Sequence, residues 1–501
     1  MNKYIRLGCL CAVLITQGIY ADSISEENTS HYFDTIKHDP AELSVFLKTM
    51  PKGGDLHNHR SGAAYTENLL DYAKNKQYCV DPKTLSVSLN PNCAKVNTLS
   101  NYKDNWILKN QLINAWSMRH YNISTDTAHD HFFKIFYKFL PITTTHRSQT
   151  LTEITERAGE QNEIYLETMI TTDNDKEIPL GDKFNKVSYE QTYQALQQNG
   201  IQNIVDDINQ QIANEQKYMK KSLACGTTQA KAGCHVTQRY QYTALRTLPA
   251  NEIFPQLVAG FMLANQNPLV VGVNIVGAED DRYTLEQYQQ QMEMFAFLHK
   301  KFPNVKISIH AGELKPGLVP PKYLNNHIAG AVNIAQANRI GHGVDIPYEN
   351  NAKQTIKTMA DQKIAVEINL SSNAEILGVE GKQHPFMYYL KHNVPVVLST
   401  DDEGILRTDL TREYQRAVET YHLSYPTLKN LARNSITYSF LDGDSLWANA
   451  STLTPVAACK GDKIGIKTPS TTCKNFLDKN PKAKLQWHLE HQFGQFEQQY
   501  N

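Results

Sequence analysis

The chain has 501 residues, with 50 Lys and Arg against 51 Asp and Glu for a formal net charge of −1, and 41% apolar side chains. That composition excludes a disordered or fibrous polymer, and balanced charge without a basic stripe excludes a surface built to hold a nucleic acid polymer. The length exceeds one ordinary domain, and one large core with embellishments accommodates it.

The first residues, MNKYIRLGCLCAVLITQGIYA, set Lys3 and Arg6 before an apolar stretch that ends near Ala21, with Asp22 next. That layout predicts a cleaved signal peptide over 1–21 and a secreted or periplasmic protein with no membrane contact after cleavage. The apolar core of about a dozen residues falls short of the roughly 20 that cross a bilayer. Cys9 and Cys11 stand at its start rather than after it, which argues against a lipid anchor. Without Lys3 and Arg6 the balance becomes 48 against 51, or −3.

A short N-terminal extension, 22–50, precedes a candidate strand that follows Pro51-Lys52 and ends at Leu56-His57. The next candidate strands are 163–167 and 240–246, so about a hundred residues separate the first two, far beyond a typical connection of about 4–6. An insertion is therefore expected. Its best candidate is 78–100, rich in Asn, Pro and Ser and bracketed by Cys79 and Cys93. Residues 104–140, with Trp106, Trp116, Phe132, Phe136 and Phe139 at helical spacing, read as helices able to roof a site, their aromatics as core.

Further strands are expected at 268–276, 305–310, 338–341, 364–370 and 395–400, with amphipathic stretches at 284–302, 321–336 and 351–361 between them. This alternation is that of a parallel α/β sheet or barrel. The segment 446–501 reads as a C-terminal extension whose Gln-rich end, HQFGQFEQQYN, is a solvated tail. Beyond the signal, Cys79, Cys93, Cys225, Cys234, Cys459 and Cys473 form three close sequential pairs, as expected in an oxidising compartment. No pair has the CxxC spacing of a zinc ribbon. Proximity pairs 79 with 93, 225 with 234 and 459 with 473 among fifteen formal connectivities, each stapling a surface excursion rather than the core.

Four polar islands end apolar runs: His57-Asn58-His59, His310-Ala311-Gly312-Glu313, Gly341-His342-Gly343 and Asp401-Asp402. His57 and His59 are two apart on a strand and face one side. Glu313 lies three residues past His310, close enough to share its mouth. The carboxylates after PVVLST follow a run that looks fully buried, where a cation is a natural partner. His342 sits between glycines, either at a close backbone approach or as a satisfied structural histidine. Strand ends of a barrel meet on one face, so distant islands could share one metal, and a metal-assisted hydrolase is the leading reading.

The ordered set HxH, HAGE, RIGHG and STDD resembles the adenosine deaminase family of zinc-dependent barrel hydrolases, over about residues 51–445. The opening Met50 to His57, with the signal peptide, looks most like the secreted adenosine deaminase-related growth factor branch. The resemblance implies a (β/α)8 TIM barrel with insertions after the first strand. It makes His57, His59, His310 and Asp401 ligands of one Zn2+; the fourth-strand segment PLVVGVNIVGAEDD has no lysine to bridge a second ion. By the same resemblance zinc lowers the pKa of water to about 7 for attack on purine C6. Glu313 protonates N1, His342 orients or deprotonates the water, Asp402 hydrogen-bonds N7, and the Gly277 N–H reaches N3.

The implied reaction converts adenosine, and 2′-deoxyadenosine, to the inosine product and ammonia. The alternatives are deamination of another adenine derivative such as a 5′-nucleotide, and a binding or growth factor-like protein on the same scaffold. A homodimer is compatible with the resemblance. Arg60 and Ser61 stand where relatives carry an aspartate for the sugar; Arg60 reads as a rim residue, with a phosphate contact as the alternative. Glu403-Gly404 follow the acidic pair where many relatives have proline. Glu367 and Asn373 read as support for the ligands, with a purely structural role as the alternative.

Overall fold

The computed structural model describes residues 24–501 apart from Lys76, Pro91, Ile123, Thr125, Thr172, Asp173 and Val187. The expected signal peptide, 1–21, lies outside the described residues.

Eight parallel strands run in sequence order around one sheet: β1 (Gly53–His59), β2 (Glu163–Ile170), β3 (Thr237–Leu245), β4 (Val270–Val276), β5 (Lys306–Ala311), β6 (Arg339–His342), β7 (Ala365–Ile368) and β8 (Val396–Leu398). Every residue of β2, β6, β7 and β8 is buried, as in parallel strands covered on both faces. The ring closes just past β8: Asn58 bridges Asp401, the Asp401 N–H donates to the His57 carbonyl at 2.8 Å, and the His59 N–H donates to the Asp401 carbonyl at 3.0 Å. With helices around it, this is a (β/α)8 TIM barrel. Closure occurs at the level of the HxH and STDD islands, so sheet pairing itself brings them together.

The expected strands from 163 onward match to within a few residues, the ordinary scatter of element ends. Helices Arg282–Lys301 and Ala352–Gln362 fill two of the expected amphipathic stretches. The third, 321–336, is a 3-10 turn Pro321–Leu324 and a short helix His327–Asn333. Asn325-Asn326 interrupts it, because asparagine side chains compete for the backbone hydrogen bonds a helix needs.

Between β1 and β2 the insertion holds a hairpin, Tyr78–Val80 with Val87–Leu89, pinned by the Cys79–Cys93 disulfide. Helices Leu99–Asp104, Trp106–Ala115, Ala128–Thr145 and Arg147–Glu160 follow. Trp116, Phe132 and Phe139 pack into a core that the insertion shares with Val344, Ile376 and Ile405 from later in the chain, with Phe136 against it. Trp106 departs from that expectation: it begins its helix and is 76% exposed.

The chain divides into two compact units. One holds the barrel residues from Asp55 to Glu160 and from Tyr165 to Glu413; the other gathers the described chain up to Gly54, Gln161–Ile164 and Tyr414–Asn501. In the second, Phe46 packs edge-on to Tyr425 and Phe496, and Lys429 pairs with Glu26 and Glu497 at 2.7 and 2.6 Å.

Two expectations fail in this unit. The Gln-rich end is the last part of the helix Pro481–Glu497, with Phe493 and Phe496 buried; its glutamines hid two core anchors at i and i+3. Of the three disulfides, all joined as proximity suggested, Cys459–Cys473 lies inside a buried cluster with Leu446, Trp447 and Trp487. It staples a small core rather than a surface excursion. Among the described residues no helix is long and apolar enough to cross a membrane.

Candidate active site

Four side chains from three regions of the sequence converge beyond the strand ends. His59 Nε2 lies 3.1 Å from His310 Nε2 and 3.2 Å from Asp401 Oδ1, and His57 Nε2 lies 3.4 Å from the same Asp401 oxygen. A tetrahedral zinc with bonds of roughly 2.0–2.1 Å requires ligand atoms about 3.3 Å apart, so the spacing fits. His342 also brings a ring nitrogen within 4.8 Å of ligand atoms of His57, His310 and Asp401. Apart from its 3.4 Å approach to Asp401, His57 Nε2 is buried with no well-aligned hydrogen-bond partner, the signature of a lone pair meant for something else.

Electrostatics agree. Burial alone would disfavour a charged His57, yet hydrogen bonds and charge from Asp401 and Glu367 push its pKa up to about 10. The pocket is therefore built to hold positive charge, which an ion supplies in place of a proton. Asp401 lies well below the usual carboxylate range despite burial, because His57 and His59 hydrogen-bond it.

The orientation of each ligand is set from behind. His57 Nδ1 donates to Glu367 Oε2 at 2.7 Å, leaving Nε2 as the lone-pair nitrogen. Glu367 is held in turn by Arg339 Nε at 2.5 Å and Ser308 Oγ at 2.9 Å. His310 Nδ1 lies 3.0 Å from Asn274 Oδ1, an atom that also accepts the backbone N–H of His310 and Ile275. Those two backbone donors identify it as the amide oxygen, so His310 likewise offers Nε2. Asn58, between the two β1 histidines, donates to Glu403 Oε2 at 3.2 Å, and Arg157 Nη2 donates to the same oxygen at 2.9 Å. The residue in place of proline after the acidic pair thus anchors the loop by charge.

Glu313 is buried at the mouth. Burial first, then the charge of Asp401, pushes its carboxyl up to about 8, so the acid form persists near neutral pH. Its backbone N–H donates to Glu279 Oε2 at 2.6 Å, and Gly312 N–H donates to Glu279 Oε1 at 3.0 Å. Asp402 Oδ1 is buried without a partner, and burial with Asp401 nearby raises its pKa well above the ordinary value. Gly62 makes room for that atom: a Cβ there would lie 1.6 Å from it. Gly277 has φ +107°, open to glycine alone without strain, and its carbonyl accepts from Arg246 Nε at 2.6 Å. His342 and Asp401, at φ 67° and 61°, stand in the left-handed region at a cost of about 1–3 kcal/mol each, as strained functional residues often do.

Arg60 corrects both of its readings. It is buried, and its Nη1 donates to Glu215 Oε2 at 2.7 Å, so it is neither a solvated rim residue nor a cation awaiting phosphate. The partner sits on the helix Ile201–Ser222, 155 residues away, beyond any local spacing rule. Glu279 and Arg246 were also missed. Arg246 Nη1 donates to the His310 carbonyl at 2.8 Å, and His327 Nδ1 lies 2.6 Å from Glu279 Oε1. Their available signal was a charged residue just past a buried strand. The insertion reaches the same mouth through His129, whose Nε2 is 3.0 Å from Asp280 Oδ1.

A barrel that gathers histidines and a carboxylate at the carboxyl ends of its strands defines the metal-dependent amidohydrolase class. A family model described as adenosine deaminase matches residues 203–453, and the chain belongs to that family. Adenosine deaminase of Vibrio vulnificus is 27% identical over 206 residues, covering 40% of this chain and 56% of that one. Adenosine deaminase of Clostridium perfringens is 27% identical over 172 residues, 34% of this chain and 47% of that one. The chain thus spans about half the length of these curated relatives. The fold is shared with adenine deaminase of Arthrobacter aurescens, at TM-score 0.51 and 17% identity over 80% of this chain and 97% of that one. It is also shared with the Arabidopsis N6-mAMP deaminase, at TM-score 0.50 and 19% identity over 79% and 95%.

Proposed function

We propose that this protein is an exported, zinc-dependent aminohydrolase that converts adenosine, and 2′-deoxyadenosine, to the 6-oxo purine and ammonia. The observation that carries the reading is the approach of His57, His59 and His310 to one another and to Asp401 at 3.1 to 3.4 Å, with His342 within 4.8 Å of His57, His310 and Asp401 and Glu313 beside it. Those four residues would hold the ion, which supplies Lewis acidity and a nucleophilic water near neutral pH.

The remaining steps belong to the chain's own groups. Asp402, in the acid form that burial and Asp401 favour, donates to purine N7, and the Gly277 N–H donates to N3. Glu313, protonated in its dry setting, gives its proton to N1 as water oxygen bonds C6 and the C6–N1 π pair moves to N1. His342 faces that oxygen. One of the water's two protons leaves as the oxygen bonds, to His342 or to the Glu313 carboxylate. On collapse the other passes to the amino group, the C6–N bond breaks with its electron pair on nitrogen, and ammonia leaves. Gly62 leaves the room that Asp402 Oδ1 occupies.

Ammonia release measured side by side on adenosine, AMP and adenine tests the substrate. Adenosine is expected to react best; AMP turning over faster would move the reading to nucleotides, and silence on all three would favour a binding scaffold. Arg60, the one residue that had favoured a phosphate, is already paired with Glu215, which supports the nucleoside over the 5′-nucleotide. Metal analysis should give about one zinc per chain, and a value near two would break the mononuclear assignment. Stripping the ion with a chelator should abolish turnover, with recovery on adding zinc. The three disulfides support export, the Met50 to His57 opening supports the growth factor branch, and a homodimer is open to measurement.

A further inference from the structure

A chain of hydrogen bonds leads from the backbone to His342, and its direction can be read from one end. The Phe386 N–H donates to His384 Nδ1 at 3.1 Å. A backbone N–H cannot reverse its role, so His384 Nδ1 is an acceptor and the ring's proton sits on Nε2. His384 Nε2 then donates to Asn373 Oδ1 at 2.9 Å. The Asn373 amide is thereby fixed with its NH2 toward His342, whose Nδ1 accepts from Nδ2 at 3.0 Å. Asn369 Nδ2 stands behind the same nitrogen at 3.4 Å. All four residues are buried, where a reversed bond would set two donors against each other at the cost of an unsatisfied polar group, about 1–3 kcal/mol.

We propose that Asn373 and His384 are positioning residues that hold His342 as a neutral imidazole with its proton on Nε2. His342 then donates a hydrogen bond to the oxygen arriving at C6 and does not take that oxygen's proton. This inference rests on the deaminase reading and narrows the two roles it leaves to His342. Glu313, whose Oε1 lies 3.7 Å from the other ring nitrogen, Nδ1, is then the carboxylate left to receive the water's proton after giving its own to N1. It gives one proton and regains one, so the acid is restored within each turnover. The helix Leu370–Leu377, which carries Asn373 in its first turn, and the loop before Phe386 thus meet behind the ring to set its chemistry.

The decisive variant is Asn373→Asp in the full-length, metal-loaded protein. Its shape is nearly that of asparagine and it still accepts from His384, but it offers His342 an acceptor, which draws the imidazole proton to Nδ1 and leaves a lone pair on Nε2. Loss of a transition-state donor predicts kcat lower by about 10²-fold or more, with KM within about threefold and the zinc content unchanged. A variant with kcat within about threefold of the native value would overturn the inference.

Should that protein fail to fold, His384→Gln and His384→Ala replace it. Glutamine can keep an N–H on Asn373 Oδ1 and alanine cannot, so kcat of the glutamine variant should exceed that of the alanine variant by about tenfold. Equal values for the two would overturn the inference as well. Absence of turnover by the native protein on every adenine derivative would remove the deaminase reading and this inference with it. Native turnover retained by Asn373→Asp would remove the inference alone.

Discussion

Replacing Glu313 with glutamine is expected to lower kcat by about 10²- to 10⁴-fold while leaving the metal in place. The size follows from what the side chain alone provides. Burial and the Asp401 charge hold its carboxyl up to about 8, so near neutral pH it carries the proton that N1 receives in the proposed reaction. An ion bound at Asp401 would cancel the second contribution, and burial would still act in the same direction. Glutamine is close in shape and keeps the backbone N–H bond to Glu279 Oε2 at 2.6 Å, so the loop should stay where it is. Its amide has no proton to give. Steady-state kinetics on adenosine with metal analysis of the same sample checks this; near-native kcat in a zinc-loaded variant would take Glu313 out of the acid role.

The part of the site legible in the sequence was the part that chemistry forces into short motifs. HxH, HAGE, RIGHG and STDD each end a buried run, and a strand end on a parallel barrel has one place to point. Hence the side chains of His57, His59, His310 and Asp401 lie together, and the Asn58–Asp401 bridge that closes the ring joins the first motif to the last. The supporting charges were less visible because their partners lie on other strands or helices. Arg60 could not announce Glu215, and nothing local marks Glu279 as the residue that receives the Gly312 and Glu313 N–H groups. A Gln-rich terminus read as solvent-facing because composition outweighed spacing, although Phe493 and Phe496 were the informative residues. Glu367 and Asn373 were recognisable as support, but the direction of each hydrogen bond required knowing what stood behind it.

Glu367 carries the second large effect. Its carboxylate is buried and takes three donors: His57 Nδ1 at 2.7 Å, Arg339 Nε at 2.5 Å and Ser308 Oγ at 2.9 Å. Burial would raise its pKa, but Arg339 and His57 hold it down at about 2, so it stays ionised. Glu367→Ala would leave Arg339 with Glu167 as its charged partner in the barrel interior and His57 without its orienting acceptor. Removing one member of a buried ion pair costs about 3–5 kcal/mol, so a large fall in the thermal midpoint is expected. Glu367→Gln separates this from the metal effect. It keeps the volume and one acceptor, but only one of its two terminal atoms can accept, so His57 and Arg339 compete for it. Zinc affinity should fall by about 10- to 100-fold, read by competition with a chromogenic chelator. Unchanged zinc affinity in a folded Glu367→Gln protein would show that the β1 ligand is held by the strand alone. The expected loss would mean that this metal site is assembled by the packed charge layer inside the barrel as much as by the histidines at its mouth.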